Sequence, residues 1–214
     1  MKAPLYSRAE RIADGVVHAI GIALAIGACA ALGTLAVQDA GALKTFALIV
    51  YGGGLVAMLG CSAAYNLMPD GSWKAVFRRL DHAAIFLMIA GTYTPFTLVS
   101  IGGTWGWGIF GFVWTVALAG VALKLFWHDR FERLSIAVYL LLGWTILIAL
   151  GPMLSSMSLS AVILLGVGGL LYSLGVVFHL WSRLRFQNAV WHVFVLAAAA
   201  CHYVAVVNEV ALAA

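Results

Sequence analysis

The chain has 214 residues, of which 64% are hydrophobic and 9% are charged. A soluble domain carries about 25% charged residues, and a soluble fold of this size has too much surface to bury so many apolar side chains. The composition therefore excludes an ordinary soluble protein and predicts that lipid covers the outside of the molecule. The net charge of +4 does not indicate nucleic-acid binding, because the basic residues stand in short segments between apolar runs.

The apolar runs predict the helices. A membrane-spanning helix needs about 20 mostly apolar residues. Seven runs meet this requirement, and the segments between them carry the Pro, Gly, Ser and charged residues that end helices. The predicted fold is an all-α polytopic membrane protein, a seven-transmembrane helix bundle in which residues 1–214 form a single domain. The predicted spans lie near residues 15–37, 43–67, 81–101, 104–126, 134–151, 158–181 and 189–212.

Lys and Arg are divided unequally between the two sides of this bundle. One side holds the N-terminus and the segments after the second, fourth and sixth spans, and it carries every Lys and Arg except Lys44. Basic residues favour the cytoplasmic side of a membrane, so the N-terminus is predicted in the cytoplasm and the C-terminus outside. The residues of the predicted cytoplasmic side are Lys2, Arg8, Arg11, Lys74, Arg78, Arg79, Lys124, Arg130, Arg133, Arg183 and Arg185.

Several polar residues lie at membrane depth, where they are costly and usually functional. They occur near the predicted cytoplasmic ends of the first, second, third and seventh spans, and three pairs have a four-residue spacing that places both members on one helix face. We therefore expect a polar pocket that opens to the cytoplasm. Taken singly, each residue could instead serve only to stabilise a helix end, since carboxylates favour helix N-termini and Asn caps helices. The predicted pocket residues are Asp14, His18, Ser62, Asn66, Asp81, His82, Asn188 and His192.

Three other ionisable residues have different expected roles. His202 follows His192 by ten residues and so lies about 15 Å deeper, where a hydrogen-bonded interior histidine is expected. Glu209 lies near the predicted outer surface, where solvation is expected. His179, at the inner end of the sixth span, is a further candidate for the cytoplasmic pocket.

Four segments, in chain order and on the expected spans, resemble the hemolysin III family. That family is part of the progestin and adipoQ receptor superfamily of seven-helix proteins. The resemblance covers nearly the whole chain, and the segment that begins the third span is the most specific. The segments are ERIADGVVHAIG (10–21), CSAAYN (61–66), RLDHAAIFLMIAGTYTPF (79–96) and NAVWHVFVLAAAACHYVAVV (188–207).

In the superfamily these motifs build a zinc site, and the resemblance implies where its residues would lie here. Ser62, Asp81 and His192 match the family pattern. The pattern also has a histidine at the end of the second span and another at the start of the seventh, and this chain has Asn66 and Asn188 in those places. An Asn carbonyl is a weak ligand for zinc, which favours imidazole, thiolate or carboxylate.

The remaining metal ligands implied by the resemblance are His192 and Asp81. A tighter site would need further ligands such as His82, with His18 or Asp14. Asp14 is itself a departure, because the family motif usually has Asn there. Zinc is therefore a possible cofactor, but we expect weak binding or none, with the polar pocket retained.

Four functions remain open from the sequence. The first is a hemolysin III-like membrane protein whose pocket binds or senses membrane lipid, or serves membrane homeostasis, without catalysis. The second is a metal-dependent lipid amidase, with a metal-bound water as nucleophile and Ser62 and Asp81 supporting it. The third is a channel or transporter with a polar track of Asp81, His192, His202 and Glu209. The fourth, a pore-forming cytolysin, is implied only by the family name. The sequence does not support it, because the spans are those of a resident helical bundle and not of a secreted toxin.

The predicted topology has a direct test. A reporter fused after Ala214 is expected to give a non-cytoplasmic signal, because an odd number of spans separates the two termini. A second fusion after Gly71, in a predicted cytoplasmic segment, is the control and should give the opposite signal. A cytoplasmic signal from the Ala214 fusion would show that the span count or the orientation is wrong.

Overall fold

The computed structural model describes residues 6–39, 41–127 and 131–212. Within these ranges seven helical spans are long and apolar enough to cross a membrane, and no residue forms a β-strand. The predicted all-α, seven-span architecture is confirmed. The orientation stays a prediction, and three residues used to derive or test it, Lys2, Arg130 and Ala214, lie outside the described residues, as does the side chain of Arg133.

Eight α-helices build the seven spans of the described chain, because the fifth span is interrupted. Two π-helical segments, Phe96–Ile101 and Val207–Ala211, continue the third and seventh spans. The helices are α1 (Arg8–Asp39), α2 (Ala42–Leu67), α3 (Ser72–Pro95), α4 (Gly103–Phe126), α5 (Glu132–Gly143), α6 (Leu150–Ser156), α7 (Leu159–Leu180) and α8 (Gln187–Val206).

Two helices begin well before the spans predicted from hydropathy. Helix α1 starts at Arg8 because Ser7 and Glu10 form a capping box, in which Glu10 Oε2 accepts from the Ser7 N–H at 2.8 Å and Ser7 Oγ accepts from the Glu10 N–H at 3.3 Å. Helix α3 starts at Ser72, directly after Gly71, and its first turns carry Lys and Arg. Hydropathy predicted only the apolar part of each helix. The helices themselves begin earlier, with polar turns that precede the apolar part.

Packing brings four helix ends together. Helix α2 packs most extensively on α3, and α7 on α8, while α1 lies against both α2 and α8. The third span is the most buried of the seven. Since α1, α3 and α8 begin, and α2 ends, on the same side of the bundle, their terminal turns are neighbours. The predicted pocket residues lie within about three turns of these helix ends.

The fifth span changes from α-helix to a 3₁₀ segment, Trp144–Ala149, before α6. This change frees backbone groups that lipid cannot hydrogen-bond. The Tyr93 hydroxyl satisfies them from α3, since it accepts from the Ile146 N–H at 2.7 Å and faces the Leu142 and Gly143 carbonyls at 3.1 and 2.8 Å. Helix α3 therefore supports the broken span as well as the polar end of the bundle.

The third span, which comprises α3 and the segment Phe96–Ile101, approaches α4 closely at two glycines. The Phe86 ring lies where a side chain at Gly120 would stand, and the Thr97 carbonyl lies where a side chain at Gly106 would stand. Small residues let helix backbones meet in lipid, where packing replaces the hydrophobic effect as the main attraction between helices. A hydrogen bond from Trp114 Nε1 of α4 to Thr94 Oγ1 of α3, at 3.0 Å, adds to this close packing.

Substitution at Gly106 is expected to destabilise the protein. An alanine methyl group would meet the Thr97 backbone, which cannot rotate away, so we expect Gly106→Ala to cost about 1–3 kcal/mol. Gly108→Ala on the same helix is the control, because nothing lies within 4 Å of an added Cβ there. Thermal unfolding in detergent compares the two, and equal melting temperatures would contradict the close contact.

Candidate functional site

A connected group of polar side chains lies at the end of the bundle where α1 and α8 begin. Four of its members are 9% exposed or less, although they carry polar or ionisable groups. Hydrogen bonds between α1, α2 and α8 join them. We call this group the polar cluster; its members are Asp14, His18, Ser62, Asn66, Asn188 and His192.

The shortest contact of the polar cluster joins Asp14 of α1 to His192 of α8. His192 Nδ1 lies 2.6 Å from Asp14 Oδ1, the distance of a charge-assisted hydrogen bond. On the other edge of the ring, His192 Nε2 lies 3.3 Å from the Ser62 hydroxyl of α2. The imidazole is therefore held between a carboxylate and a hydroxyl, and both of its nitrogens have a partner.

His18 approaches the same hydroxyl from α1. Its Nδ1 lies 2.8 Å from the Asp14 backbone carbonyl, which can only accept, so Nδ1 carries the proton. Its Nε2 lies 3.2 Å from Ser62 Oγ, and its ring centroid is 4.3 Å from that of His192. Two imidazole Nε2 atoms therefore face one oxygen, and the single hydroxyl hydrogen can be donated to only one of them.

The two asparagines link the helices at the rim of the polar cluster. Asn188 Nδ2 donates to Asp14 Oδ2 and to Asn66 Oδ1, both at 2.9 Å. Asn66 Nδ2 donates to the Ser62 carbonyl at 2.9 Å and lies 3.4 Å from Ser62 Oγ. Both side chains are half-buried, so they form the part of the cluster nearest to the outside. An amide can bridge donors and acceptors in this way, and a zinc-ligating imidazole at either position could not make the same bonds.

Asp81 and His82 lie at about the third turn of α3. The Asp81 carboxylate hydrogen-bonds the Ser62 hydroxyl and lies near His192 and Asp14. It therefore faces the polar cluster from the third helix. The His82 carbonyl accepts from the Tyr139 hydroxyl of α5 at 2.8 Å, so that backbone group is directed towards the fifth span.

A second set of contacts, absent from the sequence predictions, lies just outside the polar cluster. Glu10 Oε1 accepts from the Phe186 N–H at 3.0 Å, and Tyr6 donates to Gln187 Oε1 at 3.3 Å. Phe186 has a φ of 58°, so the chain turns sharply there before α8 begins. Partial burial and the nearby Asp14 carboxylate raise the pKa of Tyr6, which stays protonated and able to donate. The capping spacing Ser7-x-x-Glu10 was the available signal, but it does not reveal a partner 176 residues away.

His202 and Glu209 lie apart from this end, and His179 lies beside it. His202 is an interior histidine whose Nε2 lies 3.3 Å from the Leu165 carbonyl, as expected. Glu209 is not simply solvated, because Oε2 accepts from the Ser158 N–H at 3.0 Å and the Ser158 hydroxyl at 2.6 Å, at the start of α7. The His179 ring lies 5.0 Å from the Trp191 ring, on the flank of the cluster.

An apolar layer separates His202 from the polar cluster. Along α1, α2 and α8, the buried residues between the two levels are hydrocarbon side chains or Met. Such a layer does not favour a continuous polar track from Asp81 to Glu209. Its residues are Ala25, Leu55, Met58, Val195, Ala198 and Ala199.

The zinc site implied by the sequence resemblance is not complete in this structure. At its positions, Asn66 and Asn188 use their amide nitrogens in hydrogen bonds to protein, and His192 supplies one imidazole. Zinc sites with an open position normally have three protein ligands of the imidazole, thiolate or carboxylate kind. The family ligand set therefore does not fit zinc here.

A different buried set could hold a metal ion. Asp14, His18 and His192 place potential ligand atoms within 4.8 Å of one another. Asp81, which the resemblance pairs with His192, is not part of this close set. The short contact between Asp14 Oδ1 and His192 Nδ1 is that of a shared proton, so Asp14 orients the imidazole and leaves two Nε2 atoms facing Ser62.

Comparison with known proteins gives consistent matches along the chain. Residues 7–203 match the family model described as Haemolysin-III related. The chain is 37% identical to Hemolysin-3 of Bacillus cereus over 89% of its own length and 87% of that protein. It is 35% identical to the Hemolysin-3 homolog of Bacillus subtilis strain 168, over 93% of each. It is 30% identical to the human Monocyte to macrophage differentiation factor, over 73% of this chain and 67% of that protein.

Proposed function

This chain belongs to the hemolysin III family of multi-pass membrane proteins, and on that premise we propose that the polar cluster binds the polar head of a membrane lipid. The observation that carries the proposal is the hydrogen-bonded network at one end of the bundle, from buried Asp14 to half-buried Asn66 and Asn188. We further infer that this end faces the cytoplasm, as the distribution of Lys and Arg predicts.

The position of the polar cluster favours an amphiphilic ligand. In the proposed orientation, Asn66 and Asn188 lie at the level where lipid head groups meet the hydrocarbon core. Their amide nitrogens donate within the protein, so their amide oxygens are the groups that can accept from the hydroxyl or amine of a lipid head. The outer faces of the helices are apolar and exposed, so acyl chains have a surface to lie against. Charged and polar groups are expensive to keep at this depth, which is why such residues usually mark a functional site.

Lipid retention tests this proposal. Replacing Asn188 by Leu removes the amide that joins Asp14 to Asn66, and we expect about tenfold weaker retention of polar lipid, equivalent to about 1.4 kcal/mol. Native mass spectrometry of protein extracted in mild detergent measures the retained lipid. The matched control is Asn208→Leu, an exposed asparagine on the same span at the other end of the bundle. Equal retention by both variants, with unchanged melting temperatures, would contradict lipid binding at the cluster.

We propose that the protein holds zinc weakly or not at all, and that histidines at the family positions would restore it. The double change Asn66→His and Asn188→His places three imidazoles at those positions, together with His192. Two of them stand four residues apart on α8, where both can reach one ion from a single face. Asp81 would lie near a metal-bound water.

Zinc content after purification and dialysis distinguishes the two proteins. We expect little zinc in the wild type and about one ion per chain in the double variant. Stoichiometric zinc in the wild type would show that His18, His192 and a carboxylate form the ligand set, and would place a metal-dependent lipid amidase first. No zinc in the double variant would show that the geometry of the site, as well as its ligands, differs from that of the family zinc site.

A further inference from the structure

Three residues of the polar cluster stand in the order of a serine hydrolase relay. Ser62 Oγ lies 3.3 Å from His192 Nε2, and His192 Nδ1 lies 2.6 Å from Asp14 Oδ1. We propose that Ser62 is a nucleophile that attacks an acyl ester of a membrane lipid, with His192 as general base and Asp14 as its positioning residue. The inference rests on the proposed lipid binding and adds a reaction at the same cluster.

The roles follow from what each nitrogen contacts. Asp14 holds the proton on His192 Nδ1, which leaves the Nε2 lone pair directed at Ser62. Asp14 is itself fixed by the Asn188 amide at 2.9 Å. His18 faces the same hydroxyl, but its Nδ1 bonds a neutral backbone carbonyl at 2.8 Å, and its nearest contact to the Asp14 carboxylate is 3.6 Å. A carboxylate partner stabilises the imidazolium that forms, so His192 is the assigned base.

The surroundings of the hydroxyl supply the other requirements of acyl transfer. The Asn66 amide nitrogen lies 3.4 Å from Ser62 Oγ, where it can donate to the oxygen of a carbonyl attached to that atom. Asn66 is half-buried, so the route from the head-group level to Ser62 passes this amide. Asp81 also bonds Ser62, from α3, and is the alternative base.

The proposed reaction balances without a metal. Ser62 Oγ forms a bond to the ester carbonyl carbon while its proton passes to His192 Nε2. The carbon–oxygen bond to the alcohol then breaks, and His192 returns the proton to the departing alcohol. Water attacks the acyl-serine in the same way, giving its proton to His192, and the acid leaves as Ser62 regains a proton. The products are one carboxylic acid and one lipid alcohol, and the protein is unchanged.

An alkyl fluorophosphonate probes the relay without a known substrate. An activated serine displaces fluoride and keeps the phosphonate, so the peptide that contains Ser62 gains a fixed mass. We expect labelling of wild-type protein in detergent, none at this peptide in Ser62→Ala, and about 100-fold slower labelling in His192→Gln. Ser173→Ala is the matched control, because this α7 serine bonds Trp144 and lies outside the cluster. Melting temperatures establish that each variant is folded.

Two further variants separate the roles. Asp14→Asn keeps a hydrogen-bonding side chain but favours the wrong imidazole tautomer, so the maximal labelling rate should fall about 100-fold with little change in probe affinity. A merely structural Asp14 would change both or neither. Labelling that survives in His192→Gln and is lost in Asp81→Asn would overturn the assignment of the base.

A chelator separates the relay from metal chemistry. Labelling at Ser62 is expected to persist in EDTA, whereas loss in EDTA and recovery with zinc would overturn the relay. A wild type that retains lipid but does not react also overturns it, and leaves lipid binding standing. A wild type that reacts but retains no polar lipid overturns lipid binding and leaves the reactive serine.

Discussion

The end of the bundle that holds the polar cluster depends on the hydrogen bonds of the buried Asp14 carboxylate. A carboxylate at membrane depth is stable only when charges or donors face it. Here one oxygen bonds the His192 imidazole at 2.6 Å and the other bonds the Asn188 amide at 2.9 Å, while the Asp14 backbone carbonyl faces His18. These bonds join α1 to α8, the first span to the last. The remaining polar contacts, to Ser62 and Asn66, extend the same network to α2.

The residues at which the resemblance implies a departure from the family pattern are bonded to one another in this network. Asn188 donates to Asp14 and to Asn66, and a pair of imidazoles with the same separation would serve a metal ion instead. Asp14 supplies the His192 ring with an anionic partner. At the two positions where the resemblance implies zinc-ligating histidines, Asn66 and Asn188 therefore take part in a hydrogen-bonded network.

The positions of the polar-cluster side chains depend on helix packing elsewhere in the bundle. Helix α3 is held by α2 on one side and by α4 on the other, where the backbone contact at Gly106 and the Phe86 ring over Gly120 fix the approach. Tyr93 of the same helix satisfies the interrupted fifth span. The contact between Glu10 and Phe186 holds α8 at its start, directly before Gln187 and Asn188. Rigid helices then present the cluster side chains at hydrogen-bonding distances.

The sequence by itself determined the span count and the level of the polar residues, because hydropathy and helix periodicity act locally along the chain. It also placed Asp14, His18, Ser62 and His192 at one end of the bundle. Only the tertiary structure decided that Asp14 bonds His192, residues 178 positions apart, and that two imidazoles face Ser62. Depth along a helix is set by residue number, whereas which faces meet depends on helix rotation and packing, and no local pattern encodes that.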